Sequence, residues 1–302
     1  MFLGGLSFRR MPLFKIQSLN IFTTFVADNC TLDLGMEKKK VLFVSQEITP
    51  YLPETEISKI SRELPQGIQE RGKEIRTFMP RYGCVNERRN QLHEVIRLTG
   101  MNLIIDDTDH PLIIKVASIQ SARMQIYFID NEDYFQRKAT LKNPDGHFFD
   151  DNDERAMFFA RGVLETVQKL RWSPDVIHCH GWFTSFVPLY VKRTFKDNPL
   201  FSNSKVVTSI YDNEFDKPLN SQLKKKLIYD SISERDVACL AEPNYENLLR
   251  LAVDFSDGVI IGSEKVNENV VAYAQSTGKP ILGHQPVETY MDAFNEFYDS
   301  LL

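Results

Sequence analysis

The stretch Pro174-Asp175-Val176-Ile177-His178-Cys179-His180-Gly181-Trp182 reads as an apolar strand that ends in two histidines and turns through a glycine into a helix opened by Trp182. In open α/β sheets ligands bind beyond the carboxyl ends of the strands, so His178, His180 and Trp182 stand at the chemically useful end. On spacing alone the more economical account is that His180 and Trp182 pack the strand–helix turn. A metal centre is not expected, because two histidines at i and i+2 share a face but no third ligand lies near them in sequence.

Around this stretch, short β-rich runs alternate with longer segments of helical period, the pattern of a parallel sheet with crossover helices. Val41-Leu42-Phe43-Val44 is continuously apolar, as a strand covered on both faces should be. Ile57, Ile60, Leu64 and Ile68 then recur at helical spacing, with Pro65 predicting a kink or a split and Gly72 marking the end. Residues 74–79, 112–117 and 124–129 read as strands, and the last two, with no helix between them, predict an antiparallel excursion. A long helix follows from about residue 152, with Asp151, Asp153 and Glu154 loading negative charge at its start and a stripe of Ala156, Phe159, Ala160, Val163, Leu164 and Val167. Further strands are expected at 175–178, 205–210, 258–261 and 280–283. A last helix over 286–302 presents Tyr290, Met291, Phe294, Phe297, Tyr298 and Leu301 on one wide face. The fold class is therefore α/β and Rossmann-like, a mostly parallel sheet with helices on both faces, in a single domain over 37–302.

The 302 residues, 42% hydrophobic and 25% charged, suffice for a sizeable core. A net charge of -5 argues against nucleic acid, whose phosphates are bound by clustered Lys and Arg. Cys30, Cys84, Cys179 and Cys239 form no CxxC pair, so neither a zinc site nor a disulfide framework is indicated and the thiols suit a reducing, cytoplasmic setting. No apolar run approaches the about 20 residues that span a bilayer, so no membrane partner is expected. Residues 1–36 read as an extension. Lys15, Gln17 and Asn20 interrupt the apolar stretch that a signal peptide would need, and Met36, followed by Glu37-Lys38-Lys39-Lys40, reads as a natural start.

Four segments in order carry a family resemblance. Val41-Leu42-Phe43-Val44-Ser45-Gln46-Glu47-Ile48-Thr49-Pro50-Tyr51 is similar to the opening strand and loop of the bacterial ADP-glucose-dependent glycogen and starch synthases, and Phe78-Met79-Pro80-Arg81-Tyr82-Gly83 to their PRYG segment. Residues 174–188 resemble their PDIVHxHDWxTxLVP motif, preceded by a helix like theirs over 152–170. The resemblance implies the N-terminal half of a two-domain glycosyltransferase that moves glucose from ADP-glucose to an α-1,4-glucan, with no cofactor. It assigns His180 to hydrogen-bonding the donor glucose, and Trp182, Tyr211, Gln46 and Glu47 to substrate binding.

The departures from the family matter equally. Its KTGGL loop, which holds the sugar nucleotide through a lysine and glycines, falls on Pro53-Glu54-Thr55-Glu56-Ile57. Carboxylates at that place repel a diphosphate. The family's Asp before Trp is Gly181, and a site His is Tyr211. After Gly283 the sequence offers one helix, where the family has a nucleotide-binding second domain, and no GxGxxG or P-loop pattern substitutes for it. Three functions follow as expectations: a glucosyltransferase, a non-catalytic glucan-binding or regulatory module in which Trp182, Tyr51 and Tyr211 stack on sugars, or half of a split synthase completed by a second chain.

Overall fold

The continuous apolar runs become the central strands of one sheet in the computed structural model, which describes residues 1, 37–229 and 231–302. In chain order the first elements are β1 (Lys40–Ser45), α1 (Glu56–Glu70), β2 (Glu74–Pro80), β3 (His93–Glu94), β4 (Met101–Ile105), β5 (Thr108–Ile119), β6 (Met124–Asp130), α2 (Glu132–Phe135) and α3 (Asn152–Lys169). Then come β7 (Val176–His180), α4 (Phe186–Lys192), β8 (Lys205–Ile210), α5 (Leu223–Leu227), α6 (Tyr245–Asp254), β9 (Gly258–Ile261), α7 (Glu268–Ser276), β10 (Ile281–Leu282) and α8 (Tyr290–Leu301). The reading of residues 2–36 as an extension, and of Cys30 as a thiol, falls outside the described residues. Lys38–Leu302 forms one compact unit.

The strand order is β10-β9-β8-β7-β1-β2-β6-β5-β3, with β4 pairing β5 off this path. From β10 to β6 every neighbour is parallel, and β5 turns back antiparallel to β6. The chain leaves the parallel pattern where residues 112–129 lack a crossover helix, and an antiparallel return needs only a short turn.

Period-two alternation divides the strands between two cores. Leu42, Val44, Ile177, Cys179 and Val206 face a layer that includes α3, α4 and α6. Val41, Phe43, Val176, Val207 and Ile260 face α1 and α8. Helix α1 begins at a capping box, in which the Thr55 hydroxyl accepts from the Ser58 amide at 3.0 Å and the Ser58 hydroxyl accepts from the Thr55 amide at 2.8 Å. It runs through Pro65 as one helix instead of splitting there. Leu64 and Ile68 are fully buried against the sheet, and burying them, at about 1.5–3 kcal/mol each, offsets the helix's loss at proline of about 3 kcal/mol.

Helix α8 covers the same face, with Tyr290, Phe294 and Tyr298 buried between α1 and the strands. Two glycines make room for it. A Cβ on Gly67 of α1 would meet the Met291 sulfur at 2.2 Å, and one on Gly258 of β9 would meet the Phe297 ring at 2.9 Å. Lys73 and Arg71, at the end of α1, pair with Asp299 and Asp292 of α8.

Candidate functional site

The carboxyl ends of β1, β7, β8 and β9 meet at one rim, and parallel register sets their side chains in rows. Ser45 pairs with His180, and His180 with Ser209. His178 and His180, two residues apart on β7, therefore point to the same face, toward α8, and their rings lie 3.9 Å apart between centroids. Phe43 of β1 flanks both.

Each histidine is fully buried and each has a phenol as partner. His178 Nδ1 lies 2.6 Å from the Tyr298 hydroxyl and its Nε2 lies 2.7 Å from Ser209 Oγ. His180 Nδ1 lies 2.7 Å from the Tyr211 hydroxyl, while its Nε2 is buried without a hydrogen-bond partner among the described residues. Burial holds both imidazoles neutral. It drives His178 well below the ordinary histidine range, with His180 beside it adding to the effect, and it lowers His180 to about 3. Burial likewise raises the Tyr211 phenol, opposed by a hydrogen bond with Ser209.

Gln46 ties β1 to β7: its amide donates to the His180 carbonyl at 3.0 Å, and its side-chain oxygen accepts from the Phe183 amide at 3.3 Å. Gly181 stands between them with φ of 85°, where a Cβ would lie 2.8 Å from the Gln46 amide oxygen. Glycine at 181 and glutamine at 46 thus fit each other, which gives the departure from the family's aspartate a steric reason. Trp182 opens a tight 3-10 turn, Trp182–Thr184, before α4 starts at Phe186. This takes the place of the direct strand-to-helix step expected from the sequence, and the Thr184 hydroxyl closes the turn on the Gly181 carbonyl at 2.8 Å.

Gln46, His180 and Tyr211 are brought together at the rim. Trp182 packs among Phe148, Phe183 and Phe215. Its ring, like those of Tyr51 and Tyr211, is buried. Glu47, half-buried, accepts a hydrogen bond from the Thr55 hydroxyl. Burial raises its carboxyl, and that bond opposes the rise.

Sequence reasoning missed the partners that come from distant elements. Ser263, just past β9, donates its hydroxyl to Glu56 at 2.5 Å and accepts the Asp212 amide at 3.0 Å. Thr55, which caps α1, and Glu56, its first residue, fall on the segment in which the family resemblance sets glycines against a diphosphate. Ser209 had a readable signal, lying near the end of β8 two residues before Tyr211. Tyr245 had none, and its hydroxyl donates to the Tyr211 carbonyl at 3.0 Å. Among the described residues no group of three or more His, Cys, Asp or Glu is placed to hold a metal ion. No described helix is long and apolar enough to cross a membrane.

A mostly parallel sheet flanked by helices, with its polar cluster beyond the carboxyl ends of the central strands, is one half of the two-domain GT-B glycosyltransferase architecture. Residues 40–280 match the model of the starch synthase catalytic domain family, and the chain belongs to that family. It is similar to a glycogen synthase of Chlorobium limicola, 32% identical over 239 residues, covering 79% of this chain and 48% of the relative. A glycogen synthase of Chlorobium luteolum is 35% identical over 195 residues, covering 64% and 40%. Among solved structures, the catalytic domain of starch synthase IV from Arabidopsis thaliana, bound to ADP and acarbose, superposes with a TM-score of 0.66 at 15% identity, over 82% of this chain and 51% of that one. The chain spans about half the length of the curated relatives it matches.

Proposed function

We propose that this chain is a glucan-binding module of the glycogen and starch synthase family, with little or no capacity of its own to transfer glucose from ADP-glucose. The observation that carries this reading is Glu56, anchored by Ser263 at the rim where the resemblance sets the diphosphate-binding loop. Glu56 is exposed, and a carboxylate held at that place repels a second anion brought beside it. Tyr211 adds to the effect, since its hydroxyl occupies Nδ1 of His180 and its ring fills the space beside Gly262. His180 Nε2, buried and without a hydrogen-bond partner among the described residues, is the polar group a sugar hydroxyl would satisfy once the rim opens, with Gln46 and Glu47 as the polar edge of that site. The rings of Trp182 and Tyr211 are buried in protein contacts and support the rim instead of stacking on a sugar. The free thiols of Cys84, Cys179 and Cys239 accord with a reducing compartment, and on this reading the protein acts in the cytoplasm.

Calorimetric titration with maltoheptaose and with ADP-glucose tests the proposal. Saturable binding of the oligosaccharide with no heat from the nucleotide sugar is expected. Tight ADP-glucose binding would overturn it.

A second reading, that another chain supplies the nucleotide-binding half, is favoured by one feature. Val287 is 70% exposed beside a small groove between α1 and α8 that includes Ile60, Ile261 and Tyr290. Mass measurement in solution with a candidate second-half chain from the same source distinguishes the two readings.

A further inference from the structure

On the edge of the sheet opposite His180, the amino ends of β2 and β6 open into a cleft of about 790 Å³. That size falls within the range of small-molecule sites, ~300–1,000 Å³. Lys38, Lys73, Arg76 and Arg123 line it, against a single carboxylate, Glu74. Two of these charges are already engaged. Glu74 accepts from the Trp172 indole at 2.6 Å, and Lys73 pairs with Asp299 at 2.8 Å.

The arginines are engaged differently. The Arg76 guanidinium is held 5.0 Å over the Trp172 ring, and its Nη1 is buried without a hydrogen-bond partner among the described residues. A buried charged donor left unpaired is costly unless an acceptor reaches it. Arg123 sits at the β5–β6 turn in the left-handed region, with φ of 50°, exposed and with no ion pair among the described residues. Neutral polar groups stand beside them. Ser118 pairs with Gln125 across β5 and β6, and the β2–β6 register, extended one residue from Thr77 and Ile126, sets Gln125 next to Arg76.

We propose that this cleft binds the phosphate monoester of a small sugar. Arg76 and Arg123 hold the phosphate through charge-assisted hydrogen bonds. Ser118, Gln120 and Gln125 bond the sugar hydroxyls. A bare phosphate would leave most of the volume unfilled. The site lies apart from the rim of His180 and rests on none of the residues invoked for glucan binding.

The test is calorimetric titration of the whole chain with glucose 1-phosphate, inorganic phosphate and glucose, repeated on Arg123→Gln and Arg76→Gln. Saturable binding of glucose 1-phosphate, tighter than of phosphate and absent for glucose, is expected. Loss of one charge-assisted contact should weaken it about tenfold or more. Arg76 packs on Trp172, so the exposed Arg123 provides the variant that leaves the fold intact, checked by an unchanged melting temperature. No saturable binding, equal affinity for inorganic phosphate, or full affinity retained in Arg123→Gln would overturn the proposal.

Discussion

The Tyr298 hydroxyl of α8 lies 2.6 Å from Nδ1 of His178 in the middle of the sheet, joining residues 120 positions apart in sequence. Through that bond the last helix is fastened to the strand that carries His180. Tyr298→Phe removes the bond while keeping the ring, and leaves a buried imidazole nitrogen unpaired at a cost of about 1–3 kcal/mol. Urea denaturation should show a lower midpoint at an unchanged slope.

The apolar part of the same contact is larger. Phe294 is buried against the sheet face, and Phe294→Ala should lower stability by about 3–5 kcal/mol through lost burial and a residual cavity. An unchanged melting temperature would mean that α8 does not pack on this face in solution.

Stability should fall with acid for a defined reason. His178 and His180 are held neutral in the fold, His180 down to about 3, whereas in the unfolded chain they take up protons near pH 6.5. Their stabilising contribution is therefore complete above about pH 6.5 and is lost as pH falls from there toward the folded-state values. Each histidine contributes a slope of about 1.4 kcal/mol per pH unit in that window. Denaturation midpoints between pH 7.5 and 5 measure the slope, and His180→Gln should reduce it by the share of one proton.

Gly181 is predicted to resist restoration of the family's aspartate. With φ of 85° and Gln46 filling the space of a Cβ, Gly181→Asp should cost about 1–3 kcal/mol from backbone strain alone. Gln46→Ala in the same background should recover only the steric part, and a double-mutant cycle reads the coupling.

How much could be read in advance depends on how local the determinants are. Strands β1 and β9 carry continuous apolar runs, and β7 and β8 short β-rich ones, next to helical periods, so their places and parallel pairing follow from pattern alone. Strand β4 and the early part of β5 do not. Their hairpin turns at Asp106 and Asp107, both at positive φ, without the Asn-Gly or Asp-Gly pair that signals such a turn. At the site, the meeting of Gln46, His180 and Tyr211 follows from three strands ending at one rim. The Glu56–Ser263 bond spans 207 positions, and no spacing or period in the sequence encodes it.

The central claim is that this chain binds glucan without turning over ADP-glucose. Purified protein is incubated with labelled ADP-glucose and glycogen beside a His180→Ala control, and labelled glucan is counted. Electrostatic stabilisation of a leaving diphosphate is worth about 3–4 kcal/mol per donor in comparable sites, and on the proposed reading Glu56 would oppose it. The account predicts incorporation no higher than in the control. Robust incorporation by the native chain that His180→Ala abolishes would contradict it.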